Sequence, residues 1–396
     1  MSLELPDYPH LNFRKCWQLT VPTAINLGKC EALVRILGSF PIPPAVQREL
    51  RMVAFNRGAQ ATTAIEGNTL TDDELRQLLE GSPLPKSREY QGQEVANAIE
   101  TMNKIWEGVV LKGESSLITP AMLCQWNETI GKELGPLYDG VPGKWRRDRR
   151  HVGKYLAPPP EHVEELVKDL CTWLRAEFGF GSHPMSMISA IQQAVSAHVF
   201  FEWIHPFADG NGRTGRLLEF YIMLRAGFPD ITVHVLANHY NQTRSEYTAH
   251  FDRARQKRDL TDFMDYAVQG LADGLQQVAD RVQDASRKTV WESHVYFVFA
   301  SYSDYRKKSI FKRRRALALA MPVDRDFAPV ELVRTSNELT TQYMEHDRRA
   351  LATDCDVLQE LGLMIPADEA GLFRVNIGPL LAQHLSPRAV RKEAKK

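Results

Sequence analysis

The chain has 396 residues, more than a single hydrophobic core usually serves, so we expect two or three domains. Its 43% hydrophobic and 25% charged residues are typical of a globular protein and argue against a disordered or fibrous chain. Because 49 Lys and Arg residues balance 49 Asp and Glu residues, the overall charge does not favour a strongly basic nucleic-acid binder.

The sequence also carries signals about the environment of the protein. No apolar run approaches the roughly 18–20 residues that a membrane span needs. The first residues, MSLELPDYPH, lack the basic and apolar regions of a secretory signal. The five cysteines are dispersed without a CxxC pair, which favours reduced thiols over disulfides or a zinc cage. We therefore predict a cytoplasmic protein with no membrane partner.

Residues 1–110 are predicted to form a helical N-terminal region. Apolar residues recur at helical spacing in AVQRELRMVAFNRGAQATTAIEGN, and Gly67 with Asn68 is expected to end that helix. Thr71 and Glu74 have the spacing of a capping box, which predicts the start of another helix.

Residues 111–288 are predicted to form a mostly helical core with one small β-hairpin. His151–Val152 and Tyr155–Leu156 are short β-capable pieces, and Gly153–Lys154 can form the turn between them. Helical patterning surrounds a polar loop that follows His205. The fold class expected for the chain is therefore mainly α.

Residues 289–396 are predicted to form a separate α+β domain. The segment RRALATDCDVLQELGLMIPADEAGLFRVN has the pattern helix, strand, turn, strand, which is typical of a winged helix. Seven basic residues lie between Arg306 and Arg315, and we expect them to form a solvated or protein-binding face. Winged helices often bind DNA, but the acidic residues of the helix would oppose entry into a groove, so DNA binding is not favoured.

The segment HVFFEWIHPFADGNGRTGRLLEFYIML, residues 198–224, is the most informative about function. Pro206 is expected to end a helix near His205, and a second helix is expected to begin near Thr214. The glycines between them let backbone N–H groups point inward and form an anion site at the start of the second helix.

Charged side chains surround this loop. Arg213 and Arg216 are three residues apart and are expected to reach the same anion, while Asp209 offers an oxygen ligand for a Mg²⁺ shared with phosphates. His205 is a candidate base. Together these residues suggest a bound nucleotide diphosphate with a base nearby.

The twelve residues from His205 to Arg216 resemble the motif HPFxDGNGRxxR of the Fic family (filamentation induced by cAMP), with all nine specified positions matched. Fic proteins transfer AMP from ATP to a hydroxyl-bearing side chain of a target protein. The resemblance implies a protein adenylyltransferase with a Fic helical core, ATP as substrate and Mg²⁺ as its metal. The target would present a Ser, Thr or Tyr hydroxyl, and self-modification is a further possibility.

The resemblance also implies roles for the motif residues. His205 would deprotonate the target hydroxyl, and Asp209 would hold Mg²⁺ between the α- and β-phosphates. Arg216 would contact the γ-phosphate, and the other phosphate contacts would come from Gly210, Asn211, Gly212 and Arg213. Doc-type kinases carry Lys where this chain has Gly212, so the sequence favours AMP transfer over transfer of the γ-phosphate.

The sequence gives weaker support to two other kinds of site. His198, Glu202 and His205 share one helical face, which could indicate a metal site, but the HExxH spacing of zinc proteases is absent. His198 is therefore expected to be a hydrogen-bonded packing residue. No GxxxxGK[ST] occurs, so a P-loop is not supported.

The segment ATTAIEGN, residues 61–68, resembles the Fic inhibitory motif [S/T]xxxE[G/N] through Thr62, Glu66 and Gly67. The resemblance implies that Glu66 pairs with Arg216 and obstructs a productive γ-phosphate position. Glu66 is expected in the last turn of its helix, where the negative end of the helix dipole disfavours a carboxylate by about 0.3–1 kcal/mol. A cation from a distant part of the chain would offset this cost. We expect Thr62 to hydrogen-bond locally and orient Glu66. The alternative is an ordinary surface glutamate before a capping glycine.

The resemblance extends to the hairpin and to the nucleotide pocket. The hairpin corresponds by position to the flap of the family, whose edge registers the target segment, and Val152 with Gly153 is expected at that edge. A basic surface turn is the alternative. Tyr247 is expected to line the adenine pocket, but Thr248 and Arg255 stand where many members carry Tyr and Asn, so strict preference for ATP stays open.

Three functions remain possible on the sequence alone. The preferred one is an adenylyltransferase that Glu66 inhibits. The second is the removal of AMP from modified proteins, with Glu66 placing a water molecule. The third is a DNA-binding regulator whose Fic core senses nucleotide. The winged helix could also recruit targets or form a homodimer.

Overall fold

The computed structural model describes residues 5–39, 44–114, 116–179, 186–301, 308–344 and 348–378. The chain divides into two compact units, Met1–Ala279 and Asp280–Lys396. The sequence-based division at 110/111 and 288/289 stays a prediction.

Helices dominate the first unit. They are α1 (Val21–Ser39), α2 (Pro44–Ile65), α3 (Asp72–Leu79), α4 (Glu89–Trp106), α5 (Pro120–Ile130), α6 (Val163–Phe178), α7 (Met187–Ile204), α8 (Asn211–Arg225), α9 (Val235–Gln242), α10 (Arg244–Lys257) and α11 (Thr261–Ser301), the last of which contains the boundary between the units. The antiparallel hairpin β1 (His151–Val152) and β2 (Tyr155–Leu156) pairs His151 with Leu156 and Val152 with Tyr155, which confirms the predicted hairpin.

The helix ends on either side of residues 66–71 follow from local sequence chemistry. The helix α2 ends at Ile65, and Gly67 continues the chain with a φ of +105°, a conformation that glycine adopts without strain. The Thr71 side chain accepts from the Glu74 backbone, and the Glu74 side chain accepts from the Thr71 backbone. The predicted capping box is thus confirmed.

The helices α7 and α8 form the centre of the first unit, and nearly all residues of both are buried. Gly215 makes their close packing possible, because a Cβ atom there would lie 2.8 Å from side-chain atoms of both His198 and Glu202. The helix α8 begins at Asn211, not near Thr214 as predicted. The left-handed conformation of Gly210, with a φ of +75°, turns the chain at once into helix.

The second unit contains helices and a short hairpin. Its further elements are α12 (Lys308–Ala320), α13 (Pro329–Thr335), α14 (Asn337–Met344), α15 (Arg348–Glu360), β3 (Met364–Pro366) and β4 (Phe373–Val375). The strands pair antiparallel, with Met364 opposite Val375. The predicted order helix, strand, turn, strand is present, while the assignment as a winged helix stays a prediction.

The basic run of the second unit is not wholly a solvated face, so that expectation is wrong for two of its residues. Arg313 and Arg314 bind the two carboxylate oxygens of buried Asp354, at 2.7 and 2.8 Å. A buried carboxylate requires such cationic partners, and the pair of arginines supplies them. Residues 306 and 307 of the run lie outside the described residues.

Candidate functional site

A cavity of about 330 Å³ in the first unit collects most of the residues singled out from the sequence. Those that line it are Glu66, Val152, Gly153, His205, Asp209, Gly210, Asn211, Gly212, Arg216 and Tyr247. Arg213 and Thr62 do not line the cavity but bind residues that do. The loop after α7, the end of α2, the hairpin and α10 therefore meet at one site.

His205 ends α7 in a left-handed conformation, with a φ of +50°. Buried Arg146 stabilises this unusual turn, because its Nε donates to the His205 carbonyl at 2.7 Å and its backbone N–H donates to the Pro206 carbonyl at 3.0 Å. Burial and, to a lesser degree, the charge of Arg146 lower the pKa of His205 to about 4. The imidazole is therefore neutral near pH 7 and able to accept a proton.

The side chain of Asn211 fixes the loop between His205 and α8. Its Oδ1 accepts from the Phe207 backbone N–H at 2.8 Å, and its Nδ2 donates to the Phe207 carbonyl at 2.9 Å. Asn127 and Tyr138 both donate to the Asp209 carbonyl, at 3.0 and 2.9 Å. In this state the Asn211 amide thus binds its own loop, and its predicted contact with the α-phosphate stays a prediction.

The two motif arginines have separate partners in this structure, and the expectation that both reach one anion stays a prediction. Arg213 Nη1 lies 2.7 Å from Glu94 Oε1, and its Nη2 lies 3.0 Å from Asp209 Oδ1. Arg216 instead faces the end of α2. The buried carboxylate of Glu94 explains the difference, because it holds Arg213 towards α4.

Asp209 is suited to a magnesium ion that is shared with a nucleotide. Its Oδ1 also accepts from the Gly210 N–H, and its side chain remains partly exposed to the cavity. Among the described residues, no group of three or more His, Cys, Asp or Glu residues could hold a metal by itself. The helical face of His198, Glu202 and His205 is therefore not such a group. A single carboxylate fits Mg²⁺, which takes most of its ligands from phosphates and water.

Arg216 connects the end of α2 with α8. Its Nη2 lies 2.6 Å from Glu66 Oε1 and 2.9 Å from the Thr62 carbonyl, while its Nε donates to Thr62 Oγ1 at 2.7 Å. Burial opposes the ionisation of Glu66, but the guanidinium of Arg216 holds the pKa of this carboxylate below its usual range. The expectation that Thr62 orients Glu66 locally is corrected: Thr62 binds Arg216, because its side chain faces α8.

His198 is a packing residue, as predicted. It is fully buried, its Nε2 shares a 2.7 Å hydrogen bond with the Tyr247 hydroxyl, and its ring stacks on Tyr240 at 5.7 Å. Burial lowers the pKa of His198 to about 3, so the ring is neutral. The same Tyr247 hydroxyl also lies 3.5 Å from Arg216 Nη1.

The hairpin forms one rim of the cavity. Val152 is 39% exposed, and Gly153 occupies the turn with a φ of +59°. Arg255 also lines the cavity, and its guanidinium lies 4.9 Å from the ring centre of Tyr155 and pairs with Asp252. The exposed hairpin edge and His205 therefore line the same cavity.

Sequence reasoning missed three residues that shape this site, Arg146, Glu94 and Glu202. Arg146 belongs to a run of arginines in which nothing marks it as buried. Glu94 lies within a regular helical pattern. The sequence pattern marks Glu202 only as a metal-ligand candidate, yet it lines the same cavity as His205.

Comparisons with known proteins agree with this geometry. Residues 117–223 match the model of the Fic/DOC family. The chain is 28% identical over 229 residues to "Protein adenylyltransferase fic-1" of Caenorhabditis briggsae, which covers 58% of this chain and 42% of that protein. It is 29% identical over 226 residues to "Protein adenylyltransferase Fic" of Drosophila ananassae, covering 56% and 41%. The chain thus spans less than half the length of these curated relatives.

Solved structures show the same fold. A Fic family protein from Desulfovibrio desulfuricans superposes with a TM-score of 0.55 at 21% identity, over 91% of this chain and 98% of that one. Residues 134–508 of Fic-1 from Caenorhabditis elegans superpose with a TM-score of 0.53 at 25% identity, over 66% and 74%.

The described part of the chain contains no helix that is both long and apolar enough to cross a bilayer, and all five cysteines are free thiols. The motif, the cavity and the shared fold agree with one identification: residues 117–223 of this chain form a domain that matches the Fic/DOC family.

Proposed function

We propose that this protein is a Mg²⁺-dependent adenylyltransferase that transfers AMP from ATP to a Ser, Thr or Tyr hydroxyl of a protein, and that Glu66 inhibits it. His205 takes the proton from the hydroxyl, whose oxygen then bonds to the α-phosphorus of ATP. The bond between the α-phosphorus and the bridging oxygen breaks, and pyrophosphate leaves. The relatives named adenylyltransferases support this reaction.

The observation that carries the proposal is a neutral imidazole beside an anion loop. His205 has a pKa of about 4, lines the cavity together with Gly210 and Gly212, and lies at the opposite end of the loop from α8. The N-terminus of α8 attracts phosphate. A base and a phosphate site on one rigid turn satisfy the positional requirement for transfer at phosphorus.

A metal would strengthen the phosphate site. Asp209 is the protein ligand that we propose for Mg²⁺, which supplies charge stabilisation to the phosphates when bound. Arg213 keeps Asp209 oriented through its 3.0 Å contact, and Glu94 holds Arg213 in turn. Arg216 would bind the γ-phosphate once Glu66 no longer occupies it.

Labelled ATP tests the reaction type. The Glu66→Gly variant is incubated with Mg²⁺ and ATP that carries the label on either the α- or the γ-phosphate. Adenylyl transfer predicts protein-bound label from α-labelled ATP alone, and loss of that label in the double variant with His205→Ala. Label from γ-labelled ATP would establish phosphate transfer instead.

The removal of AMP from a modified protein is a second candidate, because ionised Glu66 lines the same cavity as His205 and is 37% exposed. A carboxylate in that position can orient a water molecule. The release of AMP from a purified, pre-modified protein by the unmutated enzyme, and its loss in Glu66→Gln, would favour this reaction.

The remaining proposals concern the second unit and the setting of the enzyme. We propose that residues 289–396 form a winged helix that recruits the target or a second copy, and we do not favour DNA binding, since Arg313 and Arg314 are engaged with Asp354. The free thiols support a reducing, cytoplasmic setting.

A further inference from the structure

A carboxyl group that has no part in the proposed reaction lies beside the base. Glu202 Oε2 is 3.9 Å from His205 Nδ1, and the two residues are one helical turn apart at the end of α7. The side chain of Glu202 is 14% exposed and lines the same cavity. The carboxyl and the imidazole therefore belong to one rigid element.

Both side chains have unused hydrogen-bonding capacity. His205 Nδ1 and Glu202 Oε1 are buried and form no hydrogen bond with the described residues. Buried polar atoms without partners are uncommon in folded proteins, so a pair of them side by side calls for a physical reason. A hydrogen bond between the two groups needs the 3.9 Å separation to shorten by roughly 1 Å.

The orientation of the imidazole decides whether it can act as a base. A neutral ring carries one proton, and only the other nitrogen can accept a second. The hydrogen bond at one nitrogen determines which tautomer predominates. An acceptor at Nδ1 keeps the proton there and leaves Nε2 free, which is the role of the carboxylate in a Ser-His-Asp triad.

We propose that Glu202 is a positioning residue for His205. Its carboxyl oxygen accepts a hydrogen bond from Nδ1–H, which keeps the proton on Nδ1 and leaves Nε2 free to receive the proton of the target hydroxyl. This inference rests on the proposed transferase function. It adds to the reaction a residue that does not touch the substrate and acts only through the imidazole.

The surroundings of Glu202 determine its charge, and so determine which substitution best preserves that charge and the acceptor oxygen. Burial raises the pKa of Glu202 to about 8, against the opposing effect of Arg216, so the group is a neutral acid near pH 7. Gln has the same charge and keeps an acceptor oxygen. Met has a similar length but provides no acceptor oxygen, so the two variants separate hydrogen bonding from packing.

Two competing roles make different predictions. The backbone carbonyl of Glu202 also faces the imidazole and slightly favours its protonation, so it is a rival acceptor that no side-chain change would remove. The Glu202 carboxyl also lies in the field of Arg216. If it acted on Arg216, its loss would weaken ATP binding instead of the chemical step.

The test uses Glu66→Gly as the parent and compares Glu202→Gln and Glu202→Met in that background. Glu219→Gln is the matched control, because Glu219 is also a buried acid but binds the Tyr240 hydroxyl at 2.9 Å. Two quantities are measured: the initial rate of labelling from α-labelled ATP, and the ATP concentration that gives half of the maximal rate. Nitrogen-15 NMR of the imidazoles then reports the tautomer of His205.

We expect Glu202→Met to lower the rate at saturating ATP by about 10- to 100-fold. The half-saturating ATP concentration should stay unchanged. The imidazole of His205 should shift towards the Nε2–H tautomer. Glu202→Gln and Glu219→Gln should both retain the parent rate and tautomer within about threefold. An unchanged rate and tautomer in Glu202→Met would overturn the inference, as would a change in half-saturation alone. If the parent incorporates no label, the proposed function fails, and the tautomer still decides the role of Glu202.

Discussion

Glu66 Oε1 lies 2.6 Å from Arg216 Nη2, although 150 residues separate the two in the sequence. The contact places the end of α2 over the start of α8, where Gly212 leaves room for it. The cation that is proposed to bind the γ-phosphate already has an anionic partner. The proposed inhibition therefore needs no movement of a domain, since this carboxylate would occupy the position proposed for a phosphate.

Thr62 should matter for the position of Arg216, because it accepts two hydrogen bonds from the guanidinium. In the Glu66→Gly background, we expect Thr62→Val to raise the half-saturating ATP concentration by about three- to tenfold, the equivalent of one hydrogen bond with a net value of about 1 kcal/mol. The matched control is Thr63→Val, whose hydroxyl binds the backbone of its own helix. Equal effects of the two substitutions on ATP affinity would contradict this role.

Gly212 should be coupled energetically to Glu66. A Cβ atom at position 212 would overlap Glu66 Oε1, the nearest atom, while the next contacts are the tips of Arg216 at 2.9 Å. We expect Gly212→Ala to lower the free energy of unfolding by about 1–3 kcal/mol in the native background and by clearly less in Glu66→Gly. Denaturant unfolding of the four proteins measures this coupling.

Gly215→Ala is the control for that cycle. Its Cβ atom would meet Glu202 and His198, not Glu66, so its cost should be the same in both backgrounds. If Gly212→Ala lowers the free energy of unfolding equally with and without Glu66, the two residues are not in contact in solution.

The buried His198 should make the protein sensitive to acid. Its pKa is about 3 when folded, below the usual value of about 6.5 expected when unfolded, so the unfolded chain binds the proton first as the pH falls. The contribution to stability is complete above pH 6.5 and decreases below it. Between pH 7 and pH 5, we expect the native protein to lose about 2 kcal/mol more than His198→Phe. Urea unfolding at both pH values provides the measurement, and equal losses in the two proteins would refute the assignment.

The sequence predicted the parts of the site that are local. The hairpin, the end of α7 and the turn at Gly210 depend on residues within a few positions of one another, and their chemistry is visible in the motif. The sequence places the start of α8 near Thr214, but the helix begins at Asn211 because Gly210 alone completes the turn.

Contacts between distant segments could not be predicted in the same way. Arg146 stabilises the His205 turn through backbone carbonyls, which carry no sequence signal. Glu94 meets Arg213 only because α4 packs beside α8. Thr62 was expected to act on its own helix, but the packing of α2 against α8 directs its hydroxyl to Arg216.

The most direct test of the account compares the native protein with Glu66→Gly by intact mass spectrometry after incubation with Mg²⁺ and ATP. We expect Glu66→Gly to gain the mass of AMP, on itself or on an added lysate protein, at least about 10-fold faster than the native protein, since the released arginine regains an interaction of about 1.4 kcal/mol or more. The additional variant His205→Ala should abolish the gain. The account would be contradicted if Glu66→Gly were no faster than the native protein, or if the mass gain persisted without His205.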